Sequence, residues 1–235
     1  MSNDWLIKLE DVTISYRIER RIARKLKVNR IFTPLEHINM EVRNREFLSI
    51  SGPNGSGKTS LLKVLSGLMQ PFSGVVRRRV SNYGFVSQSQ VLLPELSIKD
   101  NILLPYYLQK ERDNEGSVSN LDNDRIKIEK KMVEQVKRFN IDGILEKKPQ
   151  TCSVGQQQRA LLVRALIMDR NIIFADEPEQ NLDSDGRVEL FETFKEAHQD
   201  FGKTIVLVTQ EHPDVLKKYV SRGIKINVRD IESFI

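Results

Sequence analysis

The run Gly52, Pro53, Asn54, Gly55, Ser56, Gly57, Lys58, Thr59 fits the phosphate-loop pattern G-x-x-x-x-G-K-[ST]. Three glycines let successive backbone N–H groups face one concave spot, and the N-terminus of a following helix adds partial positive charge there. The Lys58 ammonium can reach the β- and γ-phosphates of a nucleoside triphosphate, and the Thr59 hydroxyl can ligate Mg²⁺. Ser60 extends the nucleotide-binding set into the helix. A second group supplies acids. Asp176 and Glu177 close the apolar run that starts at Asn171. A carboxylate at the end of a strand beside a phosphate loop suits a Mg²⁺ ligand acting through water, the role assigned to Asp176. Glu177 can orient or deprotonate a water that attacks the γ-phosphate. A third group, Ser153, Val154, Gly155 and Gln156, offers a hydroxyl and an unhindered N–H at a helix start, a second anion site. Two such sites in one chain point to one of them serving a partner's nucleotide.

These groups need a scaffold of alternating strands and helices. Glu46–Ile50 reads as a buried strand leading into the phosphate loop, and Leu61, Leu62, Val64, Leu65 and Leu68 have helical spacing after it. Ile7–Tyr16 alternates as a half-buried strand, with a second strand near His37–Val42 and short strands at 74–80 and 82–86. Ser97 to Asp100 forms a helix start, 110–124 reads as a polar loop, and 125–139 as a charged amphipathic helix. Helices over 155–168 and 187–200 flank the strand at 171–175, and 203–208 is a further buried strand. Apolar strands alternating with helices predict a mainly parallel sheet covered on both faces. The helix-rich stretch at about 90–165 reads as an inserted lobe, with core 1–89 and 166–235 around it in one domain spanning 1–235, and a basic insert at 17–34.

Composition narrows the class. The chain has 235 residues, 39% hydrophobic and 29% charged, enough for a core under a well-solvated surface. No run approaches the ~18 apolar residues of a membrane span. Residues 1–5 show no basic-then-apolar leader, and the single cysteine, Cys152, excludes an internal disulfide; both predict a cytoplasmic chain. Net charge is +5, yet residues 17–30 hold seven basic residues (Arg17, Arg20, Arg21, Arg24, Lys25, Lys27 and Arg30) against Glu19 alone. The basic character therefore belongs to one segment, readable as a solvated insert or as a contact with an anionic membrane surface or a membrane subunit. No aromatic interleaves residues 17–31, which argues against a nucleic-acid partner.

In order and spacing, these motifs resemble the ATP-binding cassette, the nucleotide-binding subunit of ABC transporters, from about Ile7 to Ile226. Gly52–Thr59 is similar to its Walker A loop and Ile172–Glu177 to its Walker B strand with the catalytic Glu. Gln88 stands at the Q-loop glutamine, Cys152–Gln156 at the signature, and Asn181, Leu182 and Asp183 at the D-loop. The resemblance implies a P-loop NTPase (RecA-like) α/β core with a mainly parallel sheet, a small antiparallel β region and an inserted helical lobe. It implies that Tyr16 stacks on adenine, that Thr59 and Gln88 ligate Mg²⁺ directly with Asp176 through water, and that Ser153, Gly155 and Gln156, with Asp183, serve nucleotide across a dimer of cassettes. It further implies ATP hydrolysis coupled to integral membrane subunits, on the cytoplasmic face of the cell membrane. Asp100 to Pro105, Gln156 to Arg159 and Asp183 resemble the branch of lipoprotein-releasing and macrolide-export ATPases; the insert between Tyr16 and Leu35 resembles polysaccharide-exporter cassettes instead. The chain departs from the pattern at Cys152 and Val154 in the signature, at Glu179 and Gln180 in place of Thr-Gly, and at Gln210, which stands where the family has its switch histidine. Gln210 can bond a γ-phosphate oxygen but carries no charge. A regulatory cassette that binds ATP with weak hydrolysis, or a soluble ATP switch, are the other readings. The latter is disfavoured because there is neither a second cassette nor room for a long coiled coil.

Overall fold

The computed structural model describes residues 4–27, 29–87, 92–113, 121–227 and 230–233. Two sheets organise it. The larger has the order β5-β6-β7-β3-β8-β9, built from β5 (Tyr83–Ser87), β6 (Ile172–Asp176), β7 (Thr204–Thr209), β3 (Phe47–Ser51), β8 (Arg222–Asn227) and β9 (Asp230–Ser233). All its pairings are parallel except β8 with β9. The smaller is antiparallel, with β1 (Trp5–Arg17) between β2 (Ile31–Arg43) and β4 (Ser73–Arg78). The expected α/β class with a mainly parallel sheet and a small antiparallel region is what forms.

The central strands are apolar throughout because both faces are covered. In β6, Ile173 and Ala175 point to one side and Ile172 and Phe174 to the other; β7 alternates likewise through Ile205 and Leu207 against Val206 and Val208. One face packs on α3 (Ile98–Asp113), α4 (Leu121–Arg138), α5 (Val154–Ile167) and α6 (Ser184–Gln199). The other packs on α2 (Lys58–Ser66) and the antiparallel sheet. Glu46, buried at the foot of β3, accepts from Arg222 Nε at 2.6 Å and from the Arg43 N–H at 2.8 Å, tying β8 and β2 to that strand.

Several boundaries differ from the sequence reading. The helix α2 stops at Ser66, where Gly67 takes φ 85°, so Leu68 lies beyond it and is exposed. Helix α3 runs on to Asp113 and α4 begins at Leu121, so the described parts of the stretch read as a polar loop, 110–113 and 121–124, are helical. Strand β2 starts at Ile31, well before His37, and Pro34 fits it because β2 is an edge strand. The basic stretch is the tip of this long hairpin, capped by the short helix α1 (Arg20–Leu26). None of its seven basic side chains forms an ion pair with a described residue. Ile22, Ile31 and Phe32 are exposed beside them.

Candidate functional site

The carboxyl ends of β6, β7 and β3 lie side by side, so the loops leaving them meet at one edge, the usual place for a ligand in a parallel sheet. After β3 comes the phosphate loop. Gly52 has φ 151° and Gly57 φ 97°, and a Cβ on Gly52 would sit 2.5 Å from the Ile226 carbonyl oxygen. No other residue fits there. Lys58 starts α2 and is almost fully buried. Its Nζ donates to the Gly52 and Pro53 carbonyls at 3.0 and 3.1 Å and lies 3.4 Å from Glu177 Oε1. The Ser56 hydroxyl is buried with no hydrogen-bond partner, a polar atom turned to the loop's interior.

After β6, Asp176 Oδ1 accepts from Thr59 Oγ1 at 2.9 Å. Burial pushes the Asp176 carboxyl above its ordinary value, against that hydrogen bond; Glu177 beside it adds to the rise. A half-buried carboxylate and a hydroxyl this close, both hard oxygen donors, fit Mg²⁺. Glu177 adopts φ 46°, a left-handed conformation costing a non-glycine residue roughly 1–2 kcal/mol. Its N–H, donating to the Val208 carbonyl at 2.8 Å, holds it there. After β7, Gln210 Nε2 donates to Glu177 Oε2 at 2.7 Å, and Gln180 Nε2 reaches the same oxygen at 3.2 Å. Above the loop a pocket of about 320 Å³ is walled by Tyr16, Phe32, Asn54, Gly55, Thr59 and Glu177 among others. Its size, aromatic wall and glycine-rich floor suit a nucleoside triphosphate. The Tyr16 hydroxyl is anchored on Ser60 Oγ at 2.6 Å.

A family model described as ABC transporter matches residues 35–180, more than half of the chain. The chain belongs to the ABC transporter family. It is an ATP-binding subunit of that family. It is 32% identical over 214 residues to the uncharacterized ABC transporter ATP-binding protein YvrO of Bacillus subtilis strain 168, covering 84% of this chain and 87% of that one. It is 32% identical over 208 residues to the lipoprotein-releasing system ATP-binding protein LolD of Francisella tularensis subsp. tularensis strain FSC 198, covering 82% and 83%. Among solved structures it resembles the dimeric bacterial ABC transporter cassette MJ0796 with TM-score 0.74 at 28% identity, covering 96% of this chain and 97% of that one. The same cassette in a post-hydrolysis state bound to ADP and Pi gives TM-score 0.72 at 27% identity.

In this cassette the signature residues open α5. Ser153 is its N-cap: its Oγ accepts from the Gln156 N–H at 3.2 Å, while Gln156 Oε1 accepts from the Ser153 N–H at 3.0 Å. This reciprocal capping box occupies the Gln156 side chain. Val154 is the first helical residue, a conformation that a β-branched side chain tolerates, so replacing glycine costs nothing in the backbone. None of Ser153, Gly155, Gln156 or Asp183 is among the described residues lining the pocket above the phosphate loop of the same chain. Asp183 caps α6, accepting from the Gly186 N–H at 2.8 Å. Gln88 lies outside the described residues. His212 sits in an exposed turn as N-cap of α7 (Pro213–Leu216), 3.4 Å from Asp214, and is not among the described residues lining the pocket above the phosphate loop.

Phe32 and Pro34 in the pocket wall, and buried Glu179, were not singled out as site residues from the sequence. Phe32 stands opposite Tyr16 in the β1–β2 pairing, so both aromatics reach the pocket. Glu179 is 7% exposed; its Oε1 accepts from the Thr209 hydroxyl and from the Gln210 N–H at 3.2 Å. Burial pushes its carboxyl upward.

Proposed function

We propose that two cassettes close head to tail over two molecules of Mg·ATP and that this closure, reset by hydrolysis, drives an integral membrane subunit. One observation carries it: Thr59 meets Asp176 at 2.9 Å while Lys58 meets Glu177 at 3.4 Å, which brings the phosphate loop and the acidic strand end together at the sheet edge. Tyr16 stacks on adenine, with Phe32 extending the aromatic wall. The loop N–H groups and Lys58 cradle the phosphates. Thr59 and Gln88, with Asp176 through water, would hold Mg²⁺, which when bound neutralises the β- and γ-phosphate oxygens. Glu177 positions the attacking water and Gln210 touches the γ-phosphate. Ser153 and Gly155 of a second cassette, identical or closely related, complete the site. The vacancy around Gly155 supports this. A Cβ there would meet only Leu182 Cδ2, at 4.0 Å, so packing within the chain does not call for glycine. Nucleotide binding closes the pair because ATP has affinity for the closed state that it lacks for the open one; hydrolysis leaves two charged products that repel and reopen it.

A helix of the membrane subunit would enter the groove of about 300 Å³ between β5, α3 and α5, lined by Phe85, Leu104, Pro105 and Leu108. The cassette then sits on the cytoplasmic face of the membrane, with the hairpin tip at 17–30 offering its basic charge to anionic lipid. The likeness to LolD supports the lipoprotein-releasing and macrolide-export type of partner. The test is purification of the full chain from its own cells. Co-purification of an integral membrane protein, with steady-state Mg·ATP turnover by the complex, is expected. Binding without turnover would favour the regulatory reading, and absence of any membrane companion would remove the transport role.

A further inference from the structure

Glu179 is a buried carboxylate at the site's edge for which the mechanism above has no use. It lies in the turn after β6, yet its partners are the last residue of β7 and the one that follows it. The Thr209 hydroxyl and the Gln210 backbone N–H both donate to Oε1, while Oε2 is buried with no hydrogen-bond partner. Thr209, itself fully buried, accepts from the Glu211 N–H at 3.0 Å, and Glu211 pairs with Arg187 of α6 at 2.6 Å. The Gln210 N–H is thus held from the acidic turn, the Glu211 N–H by Thr209, and the Glu211 side chain from α6. Gln210 then delivers its amide to Glu177.

We propose that Glu179 is a positioning residue for hydrolysis: by holding Thr209 and the Gln210 backbone, it fixes the end of β7 so that the Gln210 side chain stays on Glu177 and the site of the attacking water. A neutral amide lacks the charge that would draw it to the γ-phosphate, so its placement must come from the scaffold. A carboxylate oxygen accepting two hydrogen bonds at the root of the side chain supplies that placement. The proposal rests on the reading of Glu177 as the water-positioning residue.

The test is a double-mutant cycle on steady-state Mg·ATP hydrolysis, using the full chain in the complex it forms in its own cells. E179A is expected to lower kcat about ten- to a hundred-fold with little change in KM, the signature of lost alignment and not of lost binding. E179Q keeps an acceptor oxygen in the same place and recovers most of the loss. On a Q210A background, E179A causes no further drop. An equal drop from E179A on both backgrounds, or a loss seen in KM alone, would overturn the proposal. T209V removes one of the two donors without emptying the Glu179 site; it serves if E179A does not fold and should reproduce the kcat loss in part. E177Q in the same series separates the two claims. Wild-type turnover by E177Q sinks the role of Glu177, whereas an inactive E177Q with additive E179A and Q210A losses sinks only the positioning role.

Discussion

Gln210 Nε2 lies 2.7 Å from Glu177 Oε2, so the side chain at the end of β7 meets the carboxylate at the end of β6 across the mouth of the phosphate loop. With Lys58 on the other carboxylate oxygen at 3.4 Å, Glu177 is held from both sides in a conformation that its own backbone disfavours. Strain kept by surrounding bonds is how a fold aims a reactive group.

Asp176 carries a stability cost that its proposed metal role would explain. Its folded-state pKa is raised, so the folded chain holds that proton more tightly than the unfolded chain does. The contribution of this group is therefore lost as pH rises through the carboxylate range. D176N should raise the melting temperature of the nucleotide-free chain at neutral pH, and the gain over wild type should shrink on acidification. The same variant should weaken apparent Mg²⁺ affinity in hydrolysis by about 10–100-fold. Calorimetry and a Mg²⁺ titration of turnover check both halves.

Tyr16 lines the pocket and gives its hydroxyl to Ser60. Base–aromatic stacking is worth about 1–3 kcal/mol, so Y16A should raise KM for ATP about tenfold or more while kcat holds. Y16F keeps the ring and should stay close to wild type. Titration with a fluorescent ATP analogue reads the same difference as affinity.

Gly155 tests the second cassette. Since a Cβ has room in the isolated chain, G155A should fold with an unchanged melting temperature, and a larger residue such as Gln should also be tolerated. Turnover should nevertheless fall with side-chain size if, as proposed, closure brings a partner's nucleotide against this helix start. Thermal unfolding and ATPase measured on one preparation decide it.

The hairpin tip puts Arg20, Arg21, Arg24 and Lys25 on α1 beside exposed Ile22. Each basic group near anionic lipid is worth about 1 kcal/mol, screened by salt. The chain should float with anionic vesicles at low salt, release at high salt, and ignore neutral vesicles. Replacing these four residues by glutamine should abolish flotation while leaving ATP affinity intact.

The phosphate loop and the Asp176–Glu177 pair were legible because each depends on local spacing and on a strand whose burial on both faces shows in the sequence. The parallel sheet followed from the same runs. Phe32 was not legible: its place in the pocket depends on the register that sets it opposite Tyr16, across a hairpin whose tip looked like a solvated insert. Glu179 was noticed only as a departure from pattern. Its burial arises where the turn after β6 touches the end of β7, a contact between segments about 30 residues apart that no periodicity encodes. Strands β8 and β9 were unread because their alternation is short, and because β8 pairs with the distant β3 while β9 joins the sheet through β8. The extents of α3 and α4 were missed for a different reason. Helix ends made of polar and charged residues have the composition of a loop.

The most direct measurement is the assembly state of E177Q with Mg·ATP, read by light scattering on a size-exclusion column. The account predicts a stable pair of cassettes holding unhydrolysed nucleotide, one ATP for each chain, that falls apart when Mg²⁺ is chelated. A chain that stays monomeric with Mg·ATP bound, or that hydrolyses ATP at the wild-type rate, would contradict it.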